Sequence, residues 1–250
     1  MIERLRHAAP GQIGPLLSQL LMTELPSPGL EQLRDSGVLA RVLPELDALF
    51  GIPQSADDPE TVDVGYHQLR MLDEAARRNA PLPVRWAALL HKLGKATSPT
   101  EFLPGHLHHE RRGTPLVEAI CDRLDLDAET RDLALLVVNE CDRIHRAVDM
   151  RAGAITMLIT RLDAFAQPER FERLLLIATC DFHAYPAQEL KPYAKADKFR
   201  CALAAAGAID VAAFMAALPG LTADEQTQRL LEARAQAVAE ALSSESTDLA

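Results

Sequence analysis

Residues 62–95, VDVGYHQLRMLDEAARRNAPLPVRWAALLHKLGK, decide the fold class. The first half sets Leu69, Leu72, Ala75 and Ala76 on one stripe at helical spacing, which predicts a long helix from about Val62 to Asn79. Pro81 and Pro83 break it. From Val84 to Leu93 the chain is strongly apolar, which predicts a second helix closed by Gly94. His67 lies in the first of these helices. His91 and Lys92 lie near the end of the second.

The same periodicity continues outward in both directions. Leu16, Leu17, Leu20 and Leu21 repeat at helical spacing before Pro26-Ser27-Pro28-Gly29 stops them. A helix near Leu30 to Ser36 ends at Gly37, and Pro44 suits the first turn of a helix within Val42–Gly51. Residues 52–61 and 96–113 read as loops. Further helices are expected over Pro115–Leu124, Ala128–His145, Ala154–Phe165 and from Pro168 to Cys180. After a break at residues 185–195, Lys198–Ala206, Val211–Leu218 and Ala223–Leu242 read as Ala-rich helices, with fraying from Ser243. No strand and no internal repeat is visible. The fold class is all-α.

Composition agrees. Of 250 residues, 48% are hydrophobic and 25% charged, the balance of a globular chain with a sizeable core. Aromatics reach only 4%, which disfavours a β-sandwich or barrel. No apolar run approaches the ~20 residues of a membrane span, and no secretory leader follows Met1. Cys121, Cys141, Cys180 and Cys201 form no Cys-x-x-Cys pair, so reduced thiols and a cytoplasmic location are expected.

The net charge of −10 argues against broad non-specific binding to nucleic acid. Between His67 and Gly113, however, eight Lys and Arg face four acids, and five of the eight histidines fall there. Such a segment suits a phosphate-bearing ligand, or a set of solvated helix faces. A smaller group, Tyr185, Lys191, Tyr193, Lys195, Lys198 and Arg200, combines bases with aromatics and is a weak signal for RNA contact.

His67, His91, His106, His109 and Asp142 follow the order of an HD-domain phosphohydrolase, whose histidines and carboxylates on facing helices hold a divalent metal that activates water. The likeness extends further. Leu43-Pro-Glu-Leu-Asp-Ala-Leu-Phe-Gly51, Pro59-Glu60, Asp63-x-Gly65-x-His67 and His91-x-Leu-Gly-Lys95 followed by Pro99 closely resemble bacterial CCA-adding tRNA nucleotidyltransferases. So do His106-x-x-His109, Gly113 with Leu116-Val117-Glu118, and Arg131-Asp132-Leu133-Ala134. The resemblance covers residues from about 30 to 150 and concerns the C-terminal part of those enzymes, the neck helices and appended HD domain. It implies an HD-type helical bundle with flanking helices: neck-like helices at 1–56, an HD-like domain at 57–185 and a helical segment at 186–250. The paired carboxylates of a nucleotidyltransferase head are not found in this sequence, so CCA addition by this chain alone is not expected.

Two positions depart from that pattern. Lys92 stands where the family carries Asp after the first His of the pair, and an ammonium has no lone pair to offer a metal. Cys141 stands where the relatives carry His before Asp142, and a thiol suits hard cations poorly. His67, His91 and Asp142, with Cys141, are therefore remnant metal positions. No cofactor is expected, and Mn, Ni, Mg or Zn only if the remnant site still works. Lys92, Lys95, His106, His109, Arg111 and Arg112 are the candidates for holding phosphate. No catalytic residue is assigned.

Each of these has a plainer reading. His67 and His91 could be hydrogen-bonded core histidines, and Cys141 a core thiol. Lys92 and Lys95 could be helix-end cations, His108 a solvated loop residue and Asp181 a structural carboxylate. Three functions follow. One is a degenerate HD protein that binds a nucleotide, phosphate or RNA without normal metal-dependent hydrolysis. A second is an active HD-type phosphatase or cyclic phosphodiesterase. The third is a non-catalytic helical module for RNA or for a separate nucleotidyltransferase head. A membrane partner is not expected.

Overall fold

The structure, a computed structural model, describes residues 1–57, 59–146 and 150–247. Among these are fourteen α-helices. They are α1 (Ile2–Arg6), α2 (Pro10–Leu21), α3 (Ser27–Asp35), α4 (Val38–Val42), α5 (Pro44–Asp47), α6 (Val64–Arg77) and α7 (Leu82–Leu90). After two 3₁₀ turns come α8 (His109–Leu124), α9 (Ala128–His145), α10 (Ala152–Arg161), α11 (Pro168–His183), α12 (Ala194–Gly207), α13 (Val211–Ala216) and α14 (Ala223–Thr247). The fold is all-α.

The chain forms two compact units. One holds Met1–Cys141 and Leu176–Pro192, the other Asp142–Leu175 and Tyr193–Ala250. Segments 1–56 and 57–141 thus lie in the same unit, and of the three divisions two fall inside α9 and α11 and one just before α12.

In the first unit α7 is the central element. Every residue from Pro83 to Leu90 is buried, because an all-round apolar helix is stable only when surrounded. Its one charged member, Arg85, serves structure. The guanidinium donates to Ala80 O at 2.9 Å, Leu21 O at 2.7 Å and Thr23 O at 2.8 Å, closing carbonyls left open at the end of α2. Asp63 caps α6 by accepting from Tyr66 N–H at 2.9 Å, a bond of a kind that contributes about 1 kcal/mol. Asp73 on α6 in turn accepts from Ser27 N–H and Oγ–H at the start of α3, at 3.1 and 2.5 Å.

Three local expectations are corrected. Residues 52–61 are not all loop: β1 (Pro53–Ser55) and β2 (Thr61–Asp63) pair antiparallel, with Gln54 opposite Val62. Strands of three residues carry too few side chains to show an alternating pattern. The second helix ends at Leu90 rather than Leu93, and a 3₁₀ turn follows over Leu93–Thr97. The helix expected from Pro115 begins at His109, with Pro115 inside it. Packing explains that extension. A Cβ on Gly94 would lie 1.9 Å from His109 O and 2.5 Å from Gly113 N, so the 3₁₀ turn and α8 meet backbone to backbone. That contact seats the turn of α8 ahead of the proline, where propensity alone would stop.

The second unit is a helical assembly of α10, α12 and α14. Ile155, Leu158, Ile159, Phe171, Leu174 and Phe199 supply its core, with the Phe171 and Phe199 rings edge to face at 6.0 Å.

Candidate functional site

His67, on the buried face of α6, and His91 and Lys92, at the end of α7, converge on Asp181 near the end of α11. All four belong to the first unit and all are buried. Asp181 Oδ1 lies 2.5 Å from Lys92 Nζ, 2.6 Å from His67 Nε2 and 3.9 Å from His91 Nε2. Lys92 Nζ is also 3.1 Å from His67 Nε2. The Tyr185 ring packs tilted against His67 with centroids 4.4 Å apart, and Lys92 Nζ lies 5.5 Å from the Tyr185 ring centroid. His91 Nδ1 faces Ala88 O at 3.2 Å and Gln68 Nε2 at 3.5 Å, which orients its Nε2 toward the cluster. Cys141, on α9, joins His91 and Asp181 in a set whose donor atoms lie within 4.8 Å of one another.

The charge state of the centre follows from these contacts. His67 Nδ1 is buried with no hydrogen-bond partner among the described residues. A proton there would be an unsatisfied donor, so the neutral ring carries it on Nε2 and donates it to Asp181. Burial, reinforced by the Lys92 charge and opposed by Asp181, pulls the His67 pKa down from 6.5 to about 3. The unfolded chain therefore binds this proton more readily than the native one. The stability due to neutral His67 is complete above pH 6.5 and is lost as pH falls toward 3. From this residue alone, stability at pH 4 should be roughly 3 kcal/mol below that at pH 7.5. Urea denaturation of wild type and His67→Gln across that range tests it. The variant should show a flatter pH profile, and parallel profiles would contradict the assignment.

The donor set does not fit a divalent metal as it stands. A metal on Asp181 would need to sit about 2.0–2.2 Å from a carboxylate oxygen. The ammonium of Lys92 already lies against Oδ1, beside His67 Nε2, which contacts the same oxygen.

No family model matches the chain. Among curated proteins, a multifunctional CCA protein of Burkholderia mallei (strain SAVP1) is 42% identical over 233 residues, 93% of this chain and 56% of the relative. One from Burkholderia pseudomallei (strain K96243) gives the same figures, and one from Burkholderia lata is 40% identical over the same shares. This chain matches part of a CCA protein. It spans about half the length of the curated relatives it matches. The resemblance read from its motifs to the CCA-adding enzymes is thereby established, and the all-helical architecture fits an HD-type tail.

The other candidate residues of this CCA-related chain are spread over a second network. Lys95 Nζ donates to Gln54 Oε1 at 2.7 Å, fixing the 3₁₀ turn to β1. His106 Nε2–H donates to Pro53 O at 2.8 Å while its Nδ1 meets Ser98 Oγ at 2.8 Å, and Arg112 donates to that same Oγ at 2.7 Å. Arg112 also donates to Gly94 O and Leu107 O. His109 Nδ1–H faces His106 O at 3.2 Å. Five of the six phosphate candidates thus have partners inside the protein, and Arg111 is exposed. Asp142 is half-buried on α9 and is the first residue of the second unit. In that unit Arg200 pairs with Glu172 and Asp197, and Tyr193 bonds His145 at 2.7 Å. Among the described residues no helix is long and apolar enough to cross a membrane.

Asp181 is the residue that sequence reasoning undervalued. It sits in the run Leu174–Phe182, where nearly every neighbour is apolar. A carboxylate in such a run has to find a partner, and that was the available signal.

Proposed function

We propose that this chain is an HD-type helical module, corresponding to part of a CCA protein, that binds a phosphate-bearing ligand, a nucleotide or an RNA, and does not carry out metal-dependent hydrolysis. The observation that carries the reading is the Lys92 ammonium, 2.5 Å from Asp181 Oδ1 at the centre of the histidine cluster. The identity to CCA proteins supports a nucleotide or RNA as ligand. Lys92 itself is 2% exposed and committed to Asp181, so the ligand is met by outward cations such as Arg111 and Arg70. Nucleotide addition belongs in this reading to a nucleotidyltransferase head, which is the partner chemistry the module would serve.

A second reading has one observation in its favour. His91, Cys141 and Asp181 offer nitrogen, sulfur and oxygen donors of the kind zinc accepts. It is a remodelled phosphohydrolase, and it requires Lys92 to leave Asp181.

The test pairs two assays. Fluorescence anisotropy with a labelled RNA hairpin ending in CCA should show binding that weakens with salt, and weakens several-fold in Arg111→Glu. Hydrolysis of 2′,3′-cyclic AMP and p-nitrophenyl phosphate should be absent with Mn²⁺, Ni²⁺ or Zn²⁺. Metal-dependent turnover abolished by His91→Ala would replace this reading by the second.

A further inference from the structure

Three potential metal donors, His67, His91 and Cys141, gather around the Asp181 carboxylate. His67 Nε2 lies 2.6 Å from Asp181 Oδ1, and His91, Cys141 and Asp181 have donor atoms within 4.8 Å of one another. Nitrogen, sulfur and oxygen donors this close and this buried form the inner surface of a cation site. A cation is already there, covalently attached. Lys92 Nζ contacts Asp181 Oδ1 at 2.5 Å and His67 Nε2 at 3.1 Å, and its stem is enclosed, leaving the residue 2% exposed.

We propose that Lys92 is the built-in cation of this cluster: its ammonium supplies the positive charge that the surrounding donors would otherwise take from a divalent ion. The folded state is then independent of divalent metal, and exchanging the ammonium for a carboxylate converts the same cluster into a metal site. This deepens the non-hydrolytic reading above and rests on its account of Lys92, though not on its ligand.

Charge sets the direction. A divalent ion on Asp181 would sit within about 4 Å of the ammonium, and that repulsion weakens binding by several powers of ten. In Lys92→Asp the repulsion is gone and a second carboxylate joins His67, His91 and Asp181. Mn²⁺, Ni²⁺ and Zn²⁺ all accept such a set of imidazoles and carboxylates. Lys92→Asn removes the charge without adding a ligand, so its metal affinity should fall between the other two.

The experiment is thermal unfolding of wild type, Lys92→Asn and Lys92→Asp, each in EDTA and in Mn²⁺, Ni²⁺ or Zn²⁺, with metal stoichiometry by native mass spectrometry. Wild type should keep one melting temperature throughout and carry no stoichiometric metal. Lys92→Asp should melt lower in EDTA and rise by roughly 10 °C at metal concentrations a thousandfold above its dissociation constant, with one ion per chain. A wild type whose melting temperature drops in EDTA, or rises with metal at one ion per chain, overturns the proposal. So does a folded Lys92→Asp that takes up no metal. Should Lys92→Asp fail to fold in every condition, Lys92→Asn decides: weak metal uptake lost in Lys92→Asn/His91→Ala supports the proposal, and none overturns it. Failure of wild type to bind nucleotide or inorganic phosphate would count against the functional reading and leave this one standing. Absence of RNA binding would act in the same way.

Discussion

Lys92→Met should lower stability by about 3–5 kcal/mol, the range seen when one partner of a buried ion pair is removed. The change keeps volume and apolar stem, so the loss isolates the charge. Asp181 would remain buried, with His67 and His91 around it and no ammonium at 2.5 Å. The pair as a whole need not be strongly stabilising, because desolvating two charges offsets much of their attraction. Lys92→Met/Asp181→Leu should therefore recover a large part of the loss, and a double-mutant cycle by urea denaturation measures the coupling. A second signature is pH. Without the Lys92 charge, His67 can accept a proton and become the partner of Asp181, since that charge is one of the causes holding its pKa near 3. The deficit of Lys92→Met against wild type should shrink as pH falls from 7.5 to 5.5. A constant deficit would place the Lys92 charge elsewhere than against His67 and Asp181.

Gly94→Ala should be as damaging for a different reason. The added Cβ would fall 1.9 Å from His109 O, 2.5 Å from Gly113 N and 2.9 Å from Gly113 Cα. All three are backbone atoms, so no side chain can rotate away. The 3₁₀ turn and α8 would have to separate, disturbing Lys92 and Lys95 on one side and His109 on the other. A destabilisation of about 4 kcal/mol or more is expected, above the usual range for overpacking. Gly153→Ala on α10 is the contrast, because a Cβ there meets nothing within 4 Å. It should be neutral or stabilise by up to about 1 kcal/mol. Equal midpoints for the two variants in urea would refute the backbone contact.

The helices were legible because their apolar spacing is long and regular. Residues 62–95 show a stripe and then an all-apolar run, and α6 and α7 follow them closely. The convergence of His67 and His91 was legible through the ordered motifs. The position of Asp181 was not, because 114 residues separate it from His67 and only packing brings α11 to that point. Residues 96–113 were legible only as a break. Their structure depends on the Gly94–Gly113 approach and on His106 spanning Ser98 and Pro53, contacts between segments that no local pattern encodes. Two of the phosphate candidates have hydrogen-bond partners inside the fold. Arg112 donates to the Gly94 and Leu107 carbonyls, and Lys95 to Gln54, because backbone and amide oxygens need partners as much as a phosphate does.

The most direct measurement is the metal content of wild-type protein purified without chelator, then equilibrated with Mn²⁺, Ni²⁺ and Zn²⁺ and desalted before elemental mass spectrometry. A chain whose cluster already holds the Lys92 ammonium should emerge with no stoichiometric metal. One tightly held ion per chain, lost on His91→Ala or Asp181→Asn, would contradict it.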